Sequence, residues 1–193
     1  MPLPITVAPT TPRNSLQFGI YRDGDNNLDE PQSAVLDQAQ AVTERDPQVK
    51  VNVEDTTQRD DALGDPGDLR TEEYNLINGA QRQAHVDDPQ DMAERSTLTH
   101  FVEHTLDQAE KNGATTTWLD LVDHGGGDGG AFQTSMSGGK VMKEDDIARA
   151  IADGIKDHAQ AHPEDAKRGV DGVLMNACLM GSLGVESGYY TRG

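Results

Sequence analysis

Apolar residues recur along this chain in short blocks with two alternating periods. Leu16, Phe18 and Ile20 alternate with Gln17 and Gly19, and Val49, Val51 and Val53 alternate with Lys50 and Asn52. A period of two predicts strands. Between these blocks, Val35, Leu36, Ala39 and Val42 fall on one face of a helix, with Pro31 close to its first turn. A second helix is expected from about Met92 to Lys111, presenting Leu98, Phe101, Val102 and Ala109 and stopping at Asn112-Gly113. Thr115 to Val122 reads as a third strand. Glu144, Asp145 and Asp146 then open a third helix with acids at its positive end and Ile147, Ile151 and Ile155 as its stripe. Val170 to Met175 forms a fourth strand.

The segments between these blocks read as connections. The Pro-rich residues 1–14 form a loose arm, residues 59–70 an acidic Gly/Pro loop, and Thr71 to Ile77 a small hairpin arm. Gly125 to Gly139 is too rich in Gly and Ser for regular structure. The order β-α-β-α-β-α-β implies an α/β fold, an open parallel sheet flanked by helices. With 193 residues, one domain over 15–193 is long enough for a real core.

Charge narrows the partners. A formal net charge of −18 makes nucleic acid and anionic membranes poor ones, and suits basic substrates, high solubility or salty surroundings. No apolar run approaches the ~20 residues of a membrane span. The stretch Met1 to Arg13 lacks the basic region and apolar core of a signal peptide. The location therefore stays open between the cytoplasm and export by a signal-independent route. A single Cys excludes an internal disulfide.

Two strand-like blocks end on reactive side chains. Trp118-Leu-Asp-Leu-Val-Asp-His124 delivers a His, and Val173-Leu-Met-Asn-Ala-Cys178 delivers the one Cys. In an open α/β sheet, ligands and catalytic groups collect where the carboxyl ends of neighbouring strands converge. A thiol with an ordinary pKa of ~8.5 is only slightly ionised at neutral pH, and a neighbouring His activates it. This pairing predicts a cysteine peptidase with Cys178 as nucleophile and His124 as general base, later the acid for the leaving amine. The backbone N–H groups of Gly125 and Cys178 are the expected oxyanion donors.

Three blocks, in order, carry a resemblance. Asp123-His124-Gly125-Gly126-Gly127 and Asn176-Ala177-Cys178-Leu179-Met180 resemble the Asp-His-Gly-Gly-Gly and Asp-Ala-Cys-Leu-Met motifs of the clostripain family of cysteine peptidases. Phe18 to Leu28 is similar to the family's first strand and its Asp-Asn-Asn-Leu turn. The resemblance spans about residues 16 to 190. It implies a caspase-like, mostly parallel sheet and an endopeptidase acting on protein or peptide substrates. Family members favour Arg or Lys before the scissile bond and bind it with the Asp two residues before the Cys. Here that position is Asn176, which supplies no charge, so basic specificity is weakened and a neutral or polar preference is the alternative. Asn176 and Asp123 are the substrate-binding candidates.

The family's self-processing implies cleavage between the His and the Cys, for which Lys140 and Lys143 are the candidate sites. The chain ends soon after Cys178, before the strands and pocket-forming segments that the family carries next. A C-terminally incomplete domain is therefore expected, one completed by a second polypeptide, or a degenerate member that binds without catalysis. The chemistry requires no cofactor. Calcium, on which some resembled enzymes depend, is left open, with Asp23, Asp25 and the 60–68 loop as available donors.

Three other patterns are weaker. His100-Phe-Val-Glu-His104 matches a zinc-peptidase spacing, yet both histidines fall opposite the apolar stripe and no third ligand is evident, so no metal is assigned there. Gly125 to Gly130 fits Gly-x-Gly-x-x-Gly, but no helix starts in that turn to hold a pyrophosphate. Asp23 to Asp29 starts like a calcium loop, but Leu28 and Ala34 stand where Gly and Glu are required. These residues are expected to cap the first helix and to shape the strand-end crevice.

Overall fold

The alternating blocks form the middle of one six-stranded sheet. This computed structural model describes residues 15–26, 34–58, 69–85, 88–126, 129–136 and 138–178. In chain order the strands are β1 (Leu16–Gly24), β2 (Val49–Gln58), β3 (Leu69–Ile77), β4 (Ala80–His85), β5 (Thr116–Val122), β6 (Ala131–Gln133), β7 (Val141–Met142) and β8 (Gly172–Asn176). The helices are α1 (Val35–Arg45), α2 (Arg95–Lys111) and α3 (Glu144–Ala161). The large sheet runs β4-β3-β2-β1-β5-β8, while β6 and β7 make a separate ribbon. β1, β2, β5 and β8 are parallel neighbours, and β3 and β4 are antiparallel additions.

The expected hairpin arm is thus part of the sheet. β3 pairs with β2 along its whole length, and Tyr74 and Leu76 are buried beside Val51 and Val53. Asn78 and Gly79, with φ of 54° and 74°, make the turn into β4. The Gly/Ser-rich stretch after His124 also contains more order than its composition predicts, because β6 lies within it and pairs with β7 just beyond its end. Residues 1–14 and 59–68 lie outside the described residues.

Each face of the sheet carries its own core. On one face, Leu98, Phe101, Val102 and Leu106 of α2 and Ile147 and Ile151 of α3 close over Tyr21, Leu119 and Leu121. Each such side chain contributes ~1.5–3 kcal/mol on full burial. The two helices approach closely at Gly154, where a Cβ would lie 2.7 Å from the Thr99 carbonyl oxygen and from Val102 Cβ. On the other face, α1 covers Ile20, Val51, Val53, Tyr74 and Leu76. Ala39 and Thr43 are its buried positions, whereas Val42, expected on the core stripe, is 46% exposed at the margin of an open groove.

Because helices cover both faces, polar residues of the alternating strands are buried too. Gln17 donates to Asn52 (2.8 Å), Asn52 to Thr105 on α2 (2.8 Å), and Asn112 to Gln17 (3.0 Å). Arg22 on β1 donates to both carboxylate oxygens of Asp55 on β2, each at 2.7 Å, with both side chains buried. At the far side of the sheet, the Trp118 ring lies against Gly172, occupying the space within 3 Å of any Cβ there.

Candidate active site

The strand register brings the carboxyl ends of β5 and β8 side by side. Val122 of β5 is opposite Asn176 of β8 in a parallel pair. His124 and Cys178 each stand two residues further on, at the carboxyl ends of adjacent strands. Cys178 is free and exposed; His124 is half-buried.

Behind His124 the chain turns back on itself. Gly125 bridges to Ala131, and the bridging hydrogen bond is donated by Gly126 N–H to the Gly130 carbonyl (2.9 Å), which does not engage the Gly125 N–H. Gly130 has a φ of 106°, and a Cβ there would lie 2.1 Å from the Met142 carbonyl oxygen, so only glycine fits. Two residues on, Phe132 holds a left-handed φ of 62°. That conformation is costly for an aromatic residue. Its buried ring packs edge-on to Tyr21 at 5.1 Å, and the Tyr21 hydroxyl donates to the Met92 carbonyl (3.0 Å).

Carboxylates from the ends of β1 and β5 fasten this loop. Asp123 accepts hydrogen bonds from the Asn26 amide and the Gln133 N–H, both at 2.7 Å. Asp25 accepts from the Thr134 hydroxyl (2.6 Å) and the Ser135 N–H (2.7 Å). Burial pushes the Asp123 carboxyl above its ordinary range, while hydrogen bonds from the His124 backbone, Asn26 and Gln133 oppose that shift. Asp23, fully buried nearby, is pushed up to about 8, first by burial and then by the charge of Asp123. The described members of the Asp23–Asp29 segment thus shape the strand-end crevice. The α1 N-cap is Ala34, with no side-chain cap, and Asn27 to Asp29 lie outside the described residues. The 60–68 loop, another candidate calcium donor, also lies outside them.

His124 and Gly125 line a cavity of about 330 Å³ with Gly126, Gly130, Gln133 and Val141. Asn176 faces elsewhere. With Asp120 it closes the end of a second, largely apolar cavity of about 350 Å³ between the sheet and α1. Its amide donates to the Asp120 carboxylate, which burial pushes up to about 6 against that hydrogen bond. Lys140 is exposed and paired with Glu94; Lys143 is exposed beside Gly129 and precedes α3. His100 is exposed, and His104 hydrogen-bonds to Gln108 (2.9 Å) on its own helix. Sequence reasoning did not foresee the Asp25–Asn26 clamp or the strained Phe132, because both depend on contacts about a hundred residues apart.

No protein-family model and no curated protein sequence matches the chain. Solved structures do. One is a secreted C11 cysteine protease from Bacteroides thetaiotaomicron in complex with an irreversible peptide inhibitor, with a TM-score of 0.64 and 16% identity over 93% of this chain and 47% of that one. The fold is that of the C11 cysteine proteases. An inactive zymogen C11 protease from Parabacteroides distasonis is similar at a TM-score of 0.57 and 21% identity, over 95% of this chain and 48% of that one. Iotapain, a secreted C11 protease from Bacteroides thetaiotaomicron, gives 0.60 and 12%, over 93% and 50%. The chain therefore spans about half the length of the C11 structures it matches. Among the described residues, no C11-fold helix here is long and apolar enough to cross a membrane.

Proposed function

We propose that this chain carries the catalytic dyad of a cysteine peptidase, with Cys178 as nucleophile and His124 as its base. The observation that supports the reading is the parallel pairing of Val122 with Asn176, the strand-end residues that each stand two positions before one member of the dyad. His124 takes the thiol proton, and the thiolate attacks the scissile carbonyl carbon of a protein or peptide substrate. The N–H groups of Gly125 and Cys178 receive the developing oxyanion, an interaction typically worth ~3 kcal/mol per donor in comparable sites. His124 returns its proton to the departing amine, and water then releases the acyl group from sulfur. Asp123 positions His124 through the fastened loop.

A basic residue before the scissile bond is the proposed preference, read by Asn176 with the Asp120 carboxylate behind it. Self-cleavage between His124 and Cys178, at Lys140 or Lys143, is proposed as the maturation step. The remaining C11-type strands would be supplied by further chain or by a second polypeptide.

The test is labelling of the protein with a panel of peptidyl acyloxymethyl ketones, read by intact mass, beside Cys178→Ala and His124→Ala. Labelling at Cys178 that depends on His124 is expected. A folded protein that no peptide labels would replace this reading with a binding module of peptidase fold.

A further inference from the structure

At the opposite end of the molecule, α2 and α3 finish side by side, and their last turns bring two imidazoles among several carboxylates. His158 and His162 are four residues apart, the spacing that puts two ligand rings on one helix face. Asp107 and Glu110 lie in the last turns of α2. The rings of His158 and His162 stack with centroids 4.8 Å apart. Ligand atoms of Asp107, His158 and His162 all lie within 4.8 Å of one another.

The hydrogen-bonding pattern has a direction. Both rings present one nitrogen to the same Asp107 oxygen: His158 Nδ1 at 2.7 Å and His162 Nε2 at 3.4 Å. Each turns its other nitrogen towards a different carboxylate. His162 Nδ1 is 2.8 Å from Glu110, and His158 Nε2 is 3.5 Å from Asp165, which is itself paired with Arg168. A histidine held from behind by a carboxylate, with its free nitrogen facing a shared point, is the arrangement that orients metal-binding imidazoles.

His158 is fully buried, and among the described residues its Nε2 finds no well-formed hydrogen bond, only the 3.5 Å approach to Asp165. A buried polar atom left so costs ~1–3 kcal/mol. Metal capture at Nδ1 would fix the proton on Nε2 and aim it at Asp165. Both helices also end here, where the negative ends of their dipoles favour a cation.

We propose that Asp107, His158 and His162 bind one divalent transition-metal ion of the zinc type, which ties the ends of α2 and α3 together. Two imidazole nitrogens and a carboxylate oxygen suit zinc and its neighbours, whereas calcium and magnesium prefer all-oxygen shells. The role is structural. Arg168 reaches the Ala114 carbonyl (2.7 Å) just before β5, while His124 lies beyond the other end of that strand, so at least the strand's own length of ~20 Å, at ~3.3 Å per residue, separates them. The proposal is independent of the peptidase reading.

The experiment is a titration of the untagged full chain with Co²⁺ and Zn²⁺ in a Cys178→Ala background, which removes the competing thiolate. One ion per chain is expected, with Co²⁺ giving the visible absorption of low-coordinate nitrogen–oxygen ligation. His162→Ala and Asp107→Asn should each weaken binding a hundredfold or more, and Glu110→Gln by ~10–100-fold. Asp107 and His162 are partly exposed, so both variants should keep their circular dichroism, and the isosteric Asp107→Asn decides if His162→Ala disturbs the fold. Lack of saturable binding, or binding unchanged in these variants and lost in a His100→Ala/His104→Ala pair, overturns the proposal.

Discussion

The side-chain amide of Asn176 donates a hydrogen bond to the half-buried Asp120 carboxylate on the neighbouring strand. Asn176, two positions before Cys178, is therefore backed by an acid on β5. Under the peptidase reading, Asp120→Asn should cut labelling by a lysyl or arginyl peptide ketone at least tenfold and leave a neutral peptide unaffected. Wild-type preference for basic peptides should fade below pH ~6, where Asp120 takes up its proton. An unchanged basic-to-neutral ratio in Asp120→Asn would remove this residue from specificity.

Self-processing, if it occurs, should fall after Lys140 rather than Lys143. Lys140 stands in the exposed connection between β6 and β7. The Lys143 carbonyl accepts the first hydrogen bonds of α3, from Asp146 and Ile147 at 2.9 and 3.0 Å, so a cut there must unwind the helix start. Intact-mass analysis should show two fragments that Lys140→Ala abolishes and Lys143→Ala leaves in place. A cut mapped to Lys143 would reverse the order.

Stability should fall as pH rises from about 4 to 8. Burial pushes both Asp23 and Glu54 up to about 8, aided by Asp123 and Glu73 respectively. Across that window the folded chain holds protons that the unfolded chain has released, so the contribution is complete below pH ~4 and lost as pH passes through about 8. Each group alone gives a slope of about 1.4 kcal/mol per pH unit. Thermal melting in roughly 0.5 M salt, which screens the surface charge, should show the decline. Asp23→Asn with Glu54→Gln should flatten it; a melting point that is level or rising in the parent chain would contradict the assignment.

The Arg22–Asp55 pair predicts an asymmetric mutational cost. Replacing Asp55 with Ala leaves a buried guanidinium without that carboxylate and should cost about 3–5 kcal/mol in urea unfolding. Arg22→Met with Asp55→Leu should cost less than either single change. A loss below about 1 kcal/mol for Asp55→Ala would mean that water reaches the pair.

Much of this fold was legible because its parallel strands and helices announce themselves by period. The α2 stripe of Leu98, Phe101, Val102 and Ala109 is buried as its spacing requires, and Asn112-Gly113 ends that helix. What periodicity hid was the second buried face of the sheet. Gln17 and Asn52 look solvated in an alternating strand, yet they sit under α2 and bond to each other and to Thr105. The β3–β4 hairpin was under-read although Asn78-Gly79 marked its turn. The ends of β5 and β8 carried enough pattern to nominate His124 and Cys178, but not to foresee that Asp25 and Asn26 would clamp the intervening loop. The i,i+4 spacing of His158 and His162 carries no meaning by itself in the sequence, because its acidic partners on α2 appear only when the two helices meet at Gly154.

The close seat of Trp118 on Gly172 has a practical consequence. This is the one tryptophan in the chain, and it rests against the first residue of the strand that leads to Cys178. Its emission is therefore a resident beacon for the docking of that strand. Release of β8 would wet the indole and shift its light to the red, whatever becomes of the other strands. Engagement of the Cys178 end could thus be followed in real time, with no dye attached and no second tryptophan to blur the signal.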